Sequence, residues 1–102
     1  MRVGMKCNSG IKTVVIDEIV ELAKKYGIRK VILFGSRARG DYKTTSDIDL
    51  ATEGGNCVSF SLDVDELTST LLKFDIVNLD EPIPIELRES VIKEGVSLFE
   101  EV

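Results

Sequence analysis

The sequence predicts an α/β (α+β) domain in which helices pack on one small mixed β-sheet. Three observations carry this. The stretch 11–26 has apolar residues at helical spacing. Residues 31–34 form a continuous apolar run of strand length, as expected for a strand covered on both faces. Segments of these two kinds then alternate along the chain in the order α-β-β-α-β-α-β, which is the pattern of helices laid on a sheet.

The first helix is expected over Ile11–Tyr26, where Ile11, Val15, Ile19, Leu22, Ala23 and Tyr26 share one face. Gly27 is placed to end it in a left-handed conformation. Val31–Phe34 is the first strand, and Ser36 can open a short helix directly after it. Asp47–Thr52 is the second strand. Glu53–Ser61, with Gly54, Gly55 and Asn56, is expected to be a loop. A second long helix is expected over Asp63–Lys73, with Val64, Leu67 and Leu71 as its stripe and Asp63 with Glu66 as a capping pair. Phe74–Leu79 is the third strand, followed by a turn that Asp80 can cap. Pro84 suits the first turn of a helix running to Glu94, and Gly95 can cap it. Val96–Phe99 is a short edge strand. Its residues Val96, Leu98 and Phe99 suit either an edge-to-edge homodimer or closure of the chain's own sheet.

The 102 residues fit one domain, 1–102, and 43% hydrophobic content is enough for a core. The formal net charge of −5 argues against extended nucleic-acid binding, which needs a broad basic face. The absence of histidine excludes a histidine-ligated zinc and leaves carboxylates or lysines as candidate bases. Cys7 and Cys57 have no metal-type spacing and are expected to be reduced thiols in a cytoplasmic protein. No apolar stretch suits a signal peptide or a membrane span.

The chemistry concentrates in residues 35–51, GSRARGDYKTTSDIDLA. Side chains alternate along a strand, so Asp47 and Asp49 share a face, roughly 6–7 Å apart along the chain. Ile48 and Leu50 then point to the core. Two like charges held side by side repel, and a divalent cation relieves the conflict. Mg²⁺ favours a few carboxylates together with phosphate oxygens. The upstream half fits that ligand. Gly35 allows a sharp turn, Ser36 offers a hydroxyl and backbone N–H groups, and Arg37, Arg39 and Lys43 outweigh Asp41 as a cationic wall. Asp75 is a lone acid in an apolar strand. In suitable register on an adjacent strand it would complete a set of three carboxylates able to bind metal or take a proton. No Gly-Lys-Ser/Thr follows the glycines, so this is not a Walker-type phosphate loop. Taken singly, the Gly-Ser turn, the arginines and each aspartate have ordinary structural readings, and Arg39-Gly40-Asp41 matches an adhesion tripeptide by chance. The ordered combination is what points to function.

Gly35-Ser36-Arg37-Ala38-Arg39-Gly40 followed by Ser46-Asp47-Ile48-Asp49-Leu50 resembles the signature of the minimal nucleotidyltransferases, in the DNA polymerase beta-like superfamily. The resemblance implies the polymerase beta-like nucleotidyltransferase fold. It implies that Asp47, Asp49 and Asp75 are catalytic and hold Mg²⁺, two ions in all. It also implies that Gly35 and Ser36, with Arg37 and Arg39, hold the phosphates of ATP. The larger relatives add a helical domain that completes the acceptor cleft, and this chain is expected to lack it. In the minimal family the acceptor is instead a HEPN-domain toxin, whose tyrosine receives AMP from its antitoxin. Two other functions fit the same residues: a non-catalytic antitoxin that neutralises its partner by contact, and a nucleotidyltransferase acting on a small-molecule or RNA acceptor.

Overall fold

The computed structural model describes residues 9–101. Its elements are α1 (Thr13–Lys25), β1 (Lys30–Phe34), the short helical turn α2 (Ser36–Arg39), β2 (Ile48–Glu53), α3 (Cys57–Leu67), β3 (Phe74–Asn78), α4 (Ile85–Glu94) and β4 (Val96–Glu100). The strands form one sheet in the order β3-β2-β1-β4. β1 runs antiparallel to both β2 and β4, while β2 and β3 are parallel and joined by the α3 crossover. The sheet is therefore mixed, as expected.

Each face of the sheet buries a different set of side chains. Val31, Leu33, Ile48, Leu50 and Leu98 meet Val15, Ile19 and Ala23 of α1 and Phe60 and Val64 of α3. Phe34 and Ala51 point the other way and meet Val91 of α4, with Ile32, Val77 and Leu87 around them. Because β1 is covered on both sides, its sequence is a continuous apolar run rather than an alternation. α1 buries the face its spacing predicts and ends as expected: Gly27 has φ 70°. The Ile28 N–H reaches the Ala23 carbonyl at 2.9 Å and the Gly27 N–H reaches Lys24 at 3.3 Å. Those two bonds satisfy carbonyls that a helix end leaves open.

Two expectations about element bounds are corrected. α3 begins at Cys57 rather than Asp63 and ends at Leu67, so most of the expected Glu53–Ser61 loop is helix. The cap is Asn56, whose side chain accepts the Ser59 N–H at 3.1 Å. Asp63 lies inside the helix, where it accepts the Tyr26 hydroxyl and sits 3.8 Å from Lys25 Nζ. The buried stripe is Phe60 with Val64, four residues apart and fully buried, whereas Leu67 and Leu71 are exposed. Second, β2 begins at Ile48 and leaves Asp47 just outside the ladder. As to the two readings open for β4, Leu98 is buried and Phe99 packs on the core, so these two side chains serve the chain's own sheet. Gly95 caps α4 in an extended conformation, and a Cβ there would overlap the Val91 carbonyl and Ile32. Asp80 does not cap the turn after β3: its carboxylate accepts the Gly54 N–H at 2.7 Å in the loop after β2, and in the turn itself Asn78 Oδ1 accepts the Asp80 N–H at 2.9 Å. Cys57 is a free thiol, and Cys7 lies outside the described residues. No helix among the described residues is long and apolar enough to cross a membrane.

Candidate active site

The parallel register of β2 and β3 sets Asp49 directly beside Asp75. Adjacent strands lie about 4.8 Å apart, and partners in register point to the same face. That face is the one carrying Ala51, Val77 and α4, since Ile48, Leu50 and Ile76 belong to the opposite core. Asp47, two residues before Asp49, is exposed at the mouth of β2. Immediately after it the Ile48 N–H bonds the Lys73 carbonyl at 2.9 Å, which starts the pairing with β3. The cluster therefore occupies one end of the sheet, at the start of two strands and the finish of a third.

The electrostatics agree with this placement. The Asp49 carboxyl is raised above its ordinary value, first by burial, then by the negative charges of Asp75 and Asp47, with Arg39 opposing. Both neighbouring carboxylates thus act on Asp49.

The other half of the motif folds onto the same point. Phe34 stands opposite Asp49 in the antiparallel register, so the chain leaving β1 passes directly over that carboxylate. Gly35 there has φ 77° and ψ −157°, a conformation that favours glycine. A Cβ at Gly35 would overlap the Asp49 carboxylate itself. Ser36 follows, half-buried, as the first residue of α2. The Gly-Ser turn and the acidic pair are therefore in contact, and both conformation and space require glycine at the junction.

The cationic wall differs from expectation. Arg37 is only 1% exposed. Its guanidinium donates to the carbonyls of Ser46, Ser9, Lys43 and Thr44, so in this structure it is not presented to a phosphate. Arg39 is exposed, but it pairs with Asp41 and with Glu94 at the end of α4, each at 3.1 Å. Lys43 is exposed, and its N–H is accepted by Ser46 Oγ at 2.8 Å. Three residues that sequence reasoning missed belong to the site's frame: Tyr42 beneath Arg37, Ser46 in the turn before Asp47, and Glu94. Ser46 stood inside the quoted motif. Glu94 lies 55 residues from Arg39, and nothing local points to that pairing.

The donor set suits a hard divalent cation. It consists of carboxylate oxygens, and Asp49 bears a charge cost that a cation would relieve. Among the described residues no three acidic or thiol side chains close around one point. Mg²⁺ does not need such a cage, since it binds through one or two carboxylates plus waters and phosphate oxygens. A cavity of about 600 Å³ lies elsewhere, between residues 10–15 and 68–72, and no carboxylate lines it.

The profile of the polymerase beta nucleotidyltransferases matches residues 17–102, which include both halves of this site. The chain belongs to that family. A candidate protein adenylyltransferase of Methanocaldococcus jannaschii is 50% identical over 65 residues, covering 61% of this chain and 63% of that protein. The match therefore spans under two thirds of that nucleotidyltransferase's own length. Among solved structures, a toxin–antitoxin with AMP-PNP superposes with a TM-score of 0.69 at 20% identity, over 83% of this chain and 73% of that one, and so shares the fold. A structure described as a minimal nucleotidyltransferase superposes with a TM-score of 0.62 at 29% identity, over 79% of this chain and 86% of that one.

Proposed function

We propose that this nucleotidyltransferase moves AMP from ATP to a hydroxyl of a partner protein, a tyrosine of a HEPN-type toxin, and acts in the cytoplasm as the antitoxin of that pair. The observation that carries the reading is the contact between two halves of one pocket. Asp49 lies beside Asp75 across the parallel strands, and the Gly35 turn lies against Asp49.

In this reading Asp47 and Asp49 hold two Mg²⁺ ions, with Asp75 as a further ligand. When bound, the metal neutralises charge developing on the phosphates. Gly35 and Ser36 seat the phosphate chain with backbone N–H groups and the serine hydroxyl. Arg39, at the rim, is the arginine placed to reach a phosphate, provided it leaves Asp41 and Glu94. β3 is an edge strand and Asp75 is exposed on it, so an acceptor has open access from that side. The acceptor oxygen attacks the α-phosphorus in line, the bond to pyrophosphate breaks, and Asp75 takes the hydroxyl proton. The toxin–antitoxin architecture of the AMP-PNP-bound fold neighbour supports a protein acceptor and an adenine nucleotide.

The test is label transfer. The chain is incubated with Mg²⁺, ATP labelled at the α-phosphate and a HEPN-domain protein as the proposed partner. The wild type should label the partner on tyrosine. Asp47→Asn should lose more than about 100-fold of that rate, beyond the usual loss for disturbing a ligand's supporting partners, and should stay folded because Asp47 is exposed. Label that survives Asp47→Asn would overturn the assignment. A tight complex that neutralises the partner without label would establish a contact-only antitoxin instead.

A further inference from the structure

Arg37 is buried, and among the described residues no carboxylate pairs with it. Its contacts among the described residues are backbone carbonyls and one ring. Nε donates to Ser46 at 3.1 Å, Nη1 to Ser9 at 2.8 Å, and Nη2 to Lys43 at 3.4 Å and Thr44 at 3.2 Å. The guanidinium carbon lies 4.7 Å from the centroid of the Tyr42 ring. Burying a charge is costly unless its hydrogen-bonding capacity is met, and the planar guanidinium fork meets it here through several directions at once.

Three of the four carbonyl partners lie in one place, the fourth being Ser9 ahead of α1. Lys43, Thr44 and Ser46 all belong to the connection between α2 and β2, while Arg37 directly follows Ser36 in α2. The side chain therefore ties the Gly35–Ser36 turn to the segment that delivers Asp47. Its bond to the Ser46 carbonyl fixes the peptide plane joining Ser46 to Asp47. Two further bonds, Ser46 N–H to Lys43 carbonyl at 2.9 Å and Lys43 N–H to Ser46 Oγ at 2.8 Å, make that segment a tight turn for the fork to grip. Asp47 needs such support. It lies before β2 and is exposed, so neither the ladder nor burial sets its position.

We propose that Arg37 is a positioning residue that holds Asp47 in register with Asp49 and with the Gly35–Ser36 turn, so that the cation site is shaped before a cation arrives. The proposal rests on reading these carboxylates as cation ligands. It replaces the direct phosphate contact that the sequence motif suggests for Arg37. Lysine at this position would keep the charge and much of the stem, but its donors radiate from a single nitrogen and cannot span carbonyls on opposite sides of the fork.

The experiment is a calorimetric Mn²⁺ titration of the wild type and of Arg37→Lys, each well below its own melting temperature, paired with the Mg²⁺ dependence of adenylyl transfer. Loss of a residue that orients metal ligands lowers metal affinity by about 10–100-fold. The Mn²⁺ dissociation constant of Arg37→Lys should rise within that range. The Mg²⁺ concentration for half-maximal transfer should rise with it, and saturating Mg²⁺ should restore most of the rate. A folded Arg37→Lys that binds Mn²⁺ like the wild type, whatever its melting temperature, would reduce Arg37 to a prop of the fold and overturn the proposal. A wild type that takes up no Mn²⁺ would overturn the functional reading itself. Should Arg37→Lys fail to fold, the wild type decides: the shielded Arg37 Nε proton should be observable by NMR and should shift as Mg²⁺ is added. A resonance that stays fixed would show that the turn and the carboxylates are uncoupled.

Discussion

Asp49 is half-buried between two like charges and the Gly35 turn, and the folded chain without a cation bears a cost for ionising it. The sign of that cost fixes its pH dependence. The ordinary value is 3.8, and folding raises it. Well above the folded value the group is charged in both states and only the folded state suffers the repulsion. Below 3.8 it is protonated in both and the cost vanishes. Asp49→Asn should therefore raise the melting temperature at pH 7 in EDTA, with the gain shrinking to nothing as pH falls to 3.8 and below. Scanning calorimetry at several pH values checks this, and a lower melting temperature at pH 7 would mean that the carboxylate makes a bond the fold depends on. The neighbourhood of Asp49 and Asp75 was legible because Asp47 and Asp49 alternate along one strand and Asp75 is a lone acid in another apolar strand. The arginines were not. Arg37 and Arg39 are two apart on a short turn and look equivalent in sequence. The carbonyls of Ser9 and of residues 43–46 and the Tyr42 ring, placed by the fold, turn one inward and leave the other at the rim.

Among the elements, α1, β1, β3, α4 and β4 lie within two residues of their sequence-derived bounds, because each has an unambiguous apolar period or a Gly or Pro at its border. α3 was displaced by six residues at its start. Gly54, Gly55 and Asn56 pointed to a loop, and Asp63 with Glu66 imitated a helix start. The apolar residues of 57–67 lie on more than one side of the helix, with Val58 and Leu62 exposed beside buried Phe60 and Val64. When periodicity is this weak, tertiary packing chooses the buried stripe. The cap that fixes the true start is testable. Asn56→Ala removes the acceptor for the Ser59 N–H and should cost about 1 kcal/mol, or roughly 4–8 °C in melting temperature for a domain near 100 residues. Adenylyl transfer at low temperature should be unchanged, because α3 packs on the face of the sheet away from the carboxylates. Unchanged melting would place the helix start elsewhere.

At the scale of the whole molecule, the charge distribution determines the order in which ligands can arrive. The chain carries a net charge of −5, and three of its carboxylates crowd the end of the sheet where a triphosphate would sit. The two arginines offset this only in part: Arg37 faces inward, and Arg39, which opposes the charge at Asp49, is already paired with Asp41 and Glu94. A bare nucleotide therefore meets repulsion, and a single like-charge contact at 4 Å is worth about 4 kcal/mol at an effective dielectric constant near 20. That exceeds the 1.4 kcal/mol or so that changes affinity tenfold. Divalent cations reverse the sign of the site. Binding of a fluorescent ATP analogue should thus be at least about 10-fold weaker in EDTA than with Mg²⁺ in excess. The Mg²⁺-dependent binding should weaken as added KCl screens the attraction between cation and carboxylates. Replacing Asp47 and Asp49 together by asparagine should erase the Mg²⁺ dependence, and because it also removes the repulsion, metal-free binding should become no weaker than in the wild type. Equal affinity in EDTA and Mg²⁺ for the wild type would show that the basic turn alone holds the phosphates, and that the carboxylates serve something other than nucleotide capture.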